Sequence, residues 1–328
     1  MLKFGILSTA KIADEHLIPA IQQSGTASLE AIASRDLKKA KKMAAKFNAP
    51  QAFGSYDELL ASDDIDAVYI PLPTSQHVDW AVKAAQAGKH VLVEKPLALK
   101  ATDIKKLIKA RDKAGVVVSE GYMVTYHPQW LKVRDLIKKN AIGKLRRIES
   151  SFSYFNVDEN NMRNRPELGG GALPDIGVYP TVCARFATGL EPKTVTAQVE
   201  FDPKFKTDRY ANVQLEFDGV DMNFYVSTQM ANRQTMVFHG DKGFIELTAP
   251  FNSNLYEGDE VRLHNSKHNE TQVFRYTGLN QYRYQIDAYA KAVAGKKQAY
   301  FTLEDSVLNQ KVIDAIYKSG KSGKRARV

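Results

Sequence analysis

The sequence predicts an α/β fold in two parts: a doubly wound parallel sheet first, then an α+β domain with an open, mostly antiparallel sheet. Three observations carry that expectation. Up to residue 120, short apolar runs alternate with helix-like stretches, the pattern of βαβ units with both sheet faces covered. Beyond residue 121, segments of alternating apolar and polar residues follow one another across short turns, the pattern of antiparallel strands. The 328 residues leave room for two domains of roughly 100–200 residues each. We expect domains at 1–121 and 122–328, the second ending in a basic, mobile tail over 319–328.

In order, residues 3–7, 29–33, 67–71, 90–93 and 116–119 read as buried strands, being short, aliphatic and bounded by Gly, Pro or charge. Helical stretches at 11–23, 37–47, 75–87 and 102–114 lie between them. The second part opens on a helix at 129–139, where Trp130, Val133 and Ile137 share one face. Strands follow at 147–156, 194–201, 210–217, 222–228, 235–239, 244–247, 261–264 and 272–276. Asp218-Gly219 and Asp241-Lys242-Gly243 mark turns among them. Helices at 281–293 and 303–319 close the chain, the last with Thr302 and Asp305 as a capping pair.

Composition narrows the function classes. With 44% hydrophobic and 25% charged residues, the chain is of ordinary globular type. A single cysteine, Cys183, excludes an intrachain disulfide and reads as a small buried hydrophobe, fitting a reducing compartment. No apolar run approaches the roughly 18 residues of a membrane span, and Lys11, Asp14 and Glu15 break the first apolar stretch at once. These features read as a soluble, cytoplasmic protein without a membrane partner. The net charge of +9 raises a nucleic-acid partner. Its placement argues against one: residues 34–46 carry +5, residues 318–328 another +5, and the rest −1. No helix-turn-helix, zinc pattern or aromatic–basic interleaving accompanies it.

The first strand runs into Ser8-Thr9-Ala10-Lys11-Ile12-Ala13, where a dinucleotide-binding turn carries Gly-x-Gly-x-x-Gly or Ala. Ser8, Ala10 and Ala13 hold the three glycine places. Small side chains let a helix N-terminus approach a pyrophosphate, or simply close a tight turn. At the end of the second strand, Ser34-Arg35-Asp36 puts a hydroxyl and a guanidinium where an NAD site has its ribose-binding acid. With Lys39 close behind, that pair suits a 2′-phosphate, so NADP is the expected cofactor and NAD the alternative. Lys41, Lys42 and Lys46 read as a solvated helix face.

Glu94-Lys95-Pro96 follows the strand at 90–93, at the carboxyl end where open α/β sheets bind ligands. Far downstream stands Gly169-Gly170-Gly171-Ala172-Leu173-Pro174-Asp175-Ile176-Gly177-Val178-Tyr179, in which Pro174 suits a first helical turn and Asp175 and Tyr179 stand four apart. With Pro71-Leu72-Pro73-Thr74-Ser75-Gln76-His77, Glu120-Gly121-Tyr122-Met123, His127-Pro128 and Asn161-Met162-Arg163, these motifs resemble the Gfo/Idh/MocA oxidoreductase family over nearly the whole chain. Tyr179 makes the resemblance closest to the branch of dimeric dihydrodiol dehydrogenases and D-xylose:NADP dehydrogenases, since inositol dehydrogenase-like members carry His there.

The resemblance implies a Rossmann domain, a nicotinamide cofactor above its strand ends, a hydroxylated small-molecule substrate, and a homodimer or homotetramer formed through the second sheet. It implies cofactor contacts from Ser8, Thr9, Ala10, Lys11, Ile12, Ser34, Arg35, Lys39, Pro71, Leu72, His77, Glu94 and Lys95. It gives Lys95, Asp175 and Tyr179 to catalysis, and Lys95, Arg163, Asp175 and Tyr179 to the substrate, in a pocket expected between the domains.

The expected reaction is hydride transfer to or from a sugar, polyol or dihydrodiol-like carbon, with Tyr179 or Lys95 moving the proton. The proton acceptor must lie within about 2.6–3.2 Å of the reacting oxygen. Asp175 would bond the substrate hydroxyl or orient Lys95. His77 either caps a helix or touches the nicotinamide ribose. Arg163 either grips substrate or braces the loop before Gly169. His127 reads as a helix start, and Phe152 and Tyr154 as core or interface before substrate pocket. His264 and His268 lack partners at metal spacing, so no metal is expected. The rival functions are elimination chemistry with a transiently used cofactor, and a non-catalytic NADP(H)-binding regulator.

Overall fold

The computed structural model describes residues 1–255 and 258–328. The chain forms two compact units: Met1–Met123 with Asn280–Val307, and Val124–Leu279 with Leu308–Val328.

The first unit is built on six parallel strands, β1 (Leu2–Leu7), β2 (Ala27–Ala33), β3 (Gln51–Phe53), β4 (Ala67–Ile70), β5 (His90–Val93) and β6 (Val118–Glu120), in the order β3-β2-β1-β4-β5-β6. The order reverses between β1 and β4, the crevice where such sheets take ligands. Alternate side chains feed two cores. Phe4 and Ile6 of β1 pack with α1 (Ile18–Gln23) and α2 (Leu37–Phe47), while Leu7 of β1 with Val68 and Ile70 of β4 packs with α3 (Tyr56–Leu60), α4 (Thr74–Gln86) and α5 (Ile104–Ala114). Gly5 is required by that packing, because a Cβ there would stand 2.7 Å from a methyl of Leu59. The strand β3 and the short α3 were not expected from sequence, since three half-buried edge residues carry no apolar period.

The segment 280–307 was expected in the second domain but belongs to the first unit. Its helix α8 (Gln281–Val293; α6 and α7 lie in the second unit) sends Ile286 and Tyr289 into the core that covers Ala67, Tyr69 and Leu92. The physical reason is coverage. A parallel sheet needs both faces closed, and α1 and α2 are the only helices of the first 120 residues in that core, so a distant helix completes it.

The second unit holds α6 (Pro128–Lys138), α7 (Val178–Thr188), most of α9 (Leu303–Ser322) and a nine-stranded sheet. Its strands are β7 (Leu145–Phe155), β8 (Thr194–Phe201), β9 (Asp208–Glu216), β10 (Asp221–Ser227), β11 (Gln229–Gly240), β12 (Gly243–Leu247), β13 (Glu260–Asn265), β14 (Thr271–Arg275) and β15 (Ala326–Arg327), in the order β14-β13-β12-β11-β7-β10-β9-β8-β15. Every pairing is antiparallel except β7 with β10.

The tail over 319–328, expected to be mobile, is built into this sheet. Gly323 turns the chain at φ 64°, Ala326 pairs with Val195 of β8, and Arg325 forms an ion pair with Glu216. The Ser319 hydroxyl accepts from the Ala197 N–H at 3.0 Å and donates to the Lys324 carbonyl at 2.7 Å. No helix among the described residues is long and apolar enough to cross a membrane.

Candidate active site

One group of candidate residues lies at the carboxyl ends of the parallel strands. After β1, Ser8 adopts φ 142°, a backbone conformation that glycine adopts freely, at the place of the missing first glycine. Its hydroxyl accepts from the Ala10 N–H at 3.2 Å, and the Ala10 carbonyl takes the N–H groups of Ala13 and Asp14, which starts the helix at Lys11. The segment Ala13–Leu17 is wound as a π-turn before α1. Ala13 is fully buried, whereas Lys11 points outward and pairs with Glu15 at 3.5 Å.

At the end of β2, the Asp36 carboxylate caps α2 by accepting from the N–H groups of Lys38 (2.9 Å) and Lys39 (3.4 Å). Ser34 is buried and its hydroxyl accepts from the Asp36 N–H at 3.2 Å. Arg35 and Lys39 stand exposed. The Arg35 guanidinium is hydrogen bonded to the hydroxyl of Tyr56, a buried ring set edge-on to Trp80 at 5.0 Å.

Behind Pro71 and Leu72, His77 caps no helix. It lies 1% exposed with Nε2 2.6 Å from the Leu72 carbonyl and Nδ1 2.8 Å from the Pro96 carbonyl. It therefore ties together two backbone loops. A neutral ring donates to only one carbonyl, and only the imidazolium satisfies both. Burial opposes that charge and holds the pKa down at about 4.

After β5, the Tyr69 hydroxyl donates to Glu94 at 2.5 Å and the Lys95–Pro96 peptide is cis. The Leu97 N–H donates to Glu120 at 2.7 Å. Glu120 is 3% exposed, and burial raises its pKa to about 7 against the pull of bonds from Ser306, Leu97 and Tyr122, with Glu94 adding to the rise. Tyr282 of α8 stacks on His16 at 4.9 Å, and burial, then the charge of Glu94, raises its phenol. Tyr56, Glu120 and Tyr282 were missed from sequence as partners of this region. Only Glu120 lay inside a recognised motif.

A second group of candidate residues lies in the other unit. The Gly169–Gly171 run lies against the 162–163 turn: a side chain at Gly170 would strike the carbonyls of Met162 and Arg163, and one at Gly171 (φ 136°) would strike Asp208. The chain then winds a π-turn over Leu173–Gly177 and continues as α7. On that turn, one carboxylate oxygen of Asp175 accepts from the Tyr154 hydroxyl at 2.6 Å and from Arg163 Nε at 2.8 Å. Arg163 thus holds Asp175, while its side chain remains 42% exposed.

The Asp175 charge holds the Arg163 pKa above its ordinary value. Burial and then Asp175 push the Tyr154 phenol well up. Tyr154, read from sequence as core or interface, is therefore a partner of the candidate catalytic acid. Tyr179 is buried, its ring 5.7 Å from both Phe152 and Phe251. His127 caps α6 by accepting from the Gln129 N–H. Cys183 is buried, which raises its thiol. No group of three or more His, Cys, Asp or Glu suited to a metal ion occurs among the described residues.

Comparison with known proteins adds lineage to this geometry. Residues 2–122 match the family described as "Oxidoreductase family, NAD-binding Rossmann fold", and residues 130–246 match the "GFO/IDH/MocA C-terminal domain". The chain is 34% identical over 324 residues to D-xylose 1-dehydrogenase (NADP(+)) 2 of Haloferax volcanii, covering 98% of each chain. It is 35% identical over 258 residues to trans-1,2-dihydrobenzene-1,2-diol dehydrogenase of Xenopus laevis, covering 75% of this chain and 74% of that one. Among solved structures it resembles KijD10, a 3-ketoreductase from Actinomadura kijaniata in complex with NADP and TDP-benzene, with TM-score 0.90, 28% identity and 97% of each chain covered.

Proposed function

The chain belongs to the GFO/IDH/MocA oxidoreductase family, and from that premise we propose that it is an NADP-dependent dehydrogenase or reductase of a sugar or similar polyhydroxylated carbon. The observation that supports this most is the Arg163-bound Asp175 on the turn that leads into the Tyr179 helix, in a chain that also carries Lys95 after β5.

The residues fit the cofactor. Ser8 takes a glycine-like φ, Ala10 and Ala13 leave room for a pyrophosphate, and Asp36 is committed to its cap. The exposed Arg35, braced by Tyr56, is left to meet a 2′-phosphate. The nicotinamide, when bound, exchanges hydride with the substrate carbon.

The protein's own residues move the proton. Tyr179 donates it to, or takes it from, the reacting oxygen. A free phenol titrates near 10, and the neighbouring cation Arg163 favours the phenolate. Lys95 polarises the reacting oxygen. Asp175 orients the substrate hydroxyl from a carboxylate fixed by Tyr154 and Arg163. We further read the uncovered face of the nine-stranded sheet as the contact that joins copies into a homodimer or homotetramer, and the cytoplasm as the working compartment.

The test is an absorbance screen at 340 nm of aldoses, polyols and trans-diols with NADP and with NAD. The expected result is turnover with NADP that Lys95→Ala abolishes and Tyr179→Phe lowers at least a hundredfold. Full turnover in Lys95→Ala overturns the site, and full turnover in Tyr179→Phe overturns the tyrosine's role.

A further inference from the structure

Asp208 is the first residue of β9, at the point where the β8–β9 register shifts, and it is 1% exposed. Its carboxylate is bonded to two backbone N–H groups of another segment and a phenol. Oδ2 accepts from the Leu173 N–H at 2.6 Å, the Ala172 N–H adds a second backbone donor, and Oδ1 accepts from the Tyr317 hydroxyl at 2.6 Å. A carboxylate taken out of water is costly unless such donors surround it. These donors are specific in place. Ala172 and Leu173 open the π-turn Leu173–Gly177, Pro174 has no N–H to give, and Gly171 is bare of a side chain where the carboxylate lies. The first N–H groups of a helical segment have no partner within it, and here a residue from a strand 35 positions later supplies one.

We propose that Asp208 is a positioning residue for catalysis: its carboxylate, oriented by Tyr317 of the last helix, fixes the turn that presents Asp175 and Tyr179. The proposal rests on the reading of Asp175 and Tyr179 given above. Asp208 is a charged group bonded to the start of the turn, and the turn's Asp175 meets Tyr154 and Arg163 at 2.6 and 2.8 Å. A shift of the turn therefore displaces both candidate catalytic side chains together. Tyr317 lies on α9, before Ser322 and the closing strand β15, so the last helix bears on Asp208, and through it on the start of the turn, by the Tyr317 hydroxyl.

The titratable groups facing Asp208 are Tyr317 from α9 and Tyr154 from β7, with Asp175 and Arg163 next beyond Tyr154. Arg209, next along the strand, pairs with Glu200 at 3.6 Å. Burial raises the Asp208 pKa to about 6. Below that pH the protonated carboxyl becomes a weaker acceptor, and the turn loosens.

The experiment compares wild type, Asp208→Asn, Tyr317→Phe and Tyr179→Phe by two readouts. The first needs no substrate: amide hydrogen exchange of residues 171–179 at pH 7.5 and pH 5. The expected result is exchange at least tenfold faster in Asp208→Asn at both pH values, about threefold faster in Tyr317→Phe, and faster at pH 5 than intrinsic chemistry predicts in each protein that keeps the Asp208 carboxyl. The second is turnover of D-xylose with NADP. Asp208→Asn should lower kcat ten- to a hundredfold with the KM for NADP unchanged, and should lose the acid limb near pH 6. Unchanged exchange in a folded Asp208→Asn overturns the proposal, as does unaltered kcat with a retained acid limb. Should Asp208→Asn fail to fold, Tyr317→Phe decides by the same two criteria. If Tyr179→Phe keeps full turnover, the catalytic reading fails, while the exchange result still judges the anchoring of the turn.

Discussion

Arg35 and Asp36 are neighbours with opposite assignments at the end of β2. Asp36 spends its carboxylate on two backbone N–H groups of α2, and Arg35 is left exposed against Tyr56. A lost charge-assisted hydrogen bond costs roughly 1.5–3 kcal/mol, and each 1.4 kcal/mol is about a factor of ten in affinity. Arg35→Ala should therefore weaken NADP binding ten- to a hundredfold and leave NAD binding unchanged, as read by titration calorimetry with both cofactors. Equal loss for the two would refute the 2′-phosphate assignment. Tyr154→Phe removes a donor from Asp175 and should lower kcat about tenfold without changing cofactor affinity. Unaltered kcat would remove Tyr154 from the site.

Lys95, Asp175 and Tyr179 stand in contiguous motifs and were legible for that reason. Tyr154, Tyr56 and Asp208 were not, because each acts through a bond to a residue 21 or more positions away. Nothing in the local pattern of an alternating strand separates a tyrosine in the core from one bonded to a carboxylate.

At the level of elements, periodicity located helices and strands well but not their company. The helix over 281–293 was read from its pattern with its observed bounds, yet its membership in the first unit depends on a face of another sheet that no local signal reports. The closing strand β15 has only two residues, too few to carry a period, and it was hidden by the basic composition around it. The placement of α8 has an energetic consequence. Tyr289 is fully buried, packs against Phe4 at 6.0 Å between ring centres and donates to the Val117 carbonyl at 3.1 Å. Truncating a buried aromatic side chain costs about 3–5 kcal/mol. Tyr289→Ala should lower the unfolding free energy of the first unit by that amount, read from urea titrations followed by the fluorescence of Trp80, while Trp130 reports the second unit. A loss below about 1 kcal/mol would mean that α8 is dispensable to that core.

For the whole molecule, buried titrating groups set how stability depends on pH. Burial lowers His77 and His127 to about 4, and lowers His16, His90 and His264. Folding these residues expels protons that the unfolded chain binds below its ordinary histidine pKa near 6.5. Their contribution is thus present above that value and is lost as the pH falls toward 4. Burial raises Asp208 and Asp259 to about 6 and Glu120 to about 7. Folding these carboxyls takes up protons, so their contribution is full below the unfolded carboxylate range and fades as the pH rises through 6 and 7. The two sets oppose each other, and a substitution separates them. Above pH 6.5 Glu120 is the carboxyl that titrates most, and its shift corresponds to a loss of about 1 kcal/mol between pH 6.5 and 8. Urea unfolding at pH 6.5 and 8 should therefore show stability changing more favourably with pH in Glu120→Gln than in wild type, by about 1 kcal/mol. A Glu120→Gln variant with the same pH dependence as wild type over that range would show that Glu120 is ionised throughout and that the loop after Lys95 is held by a carboxylate at every working pH.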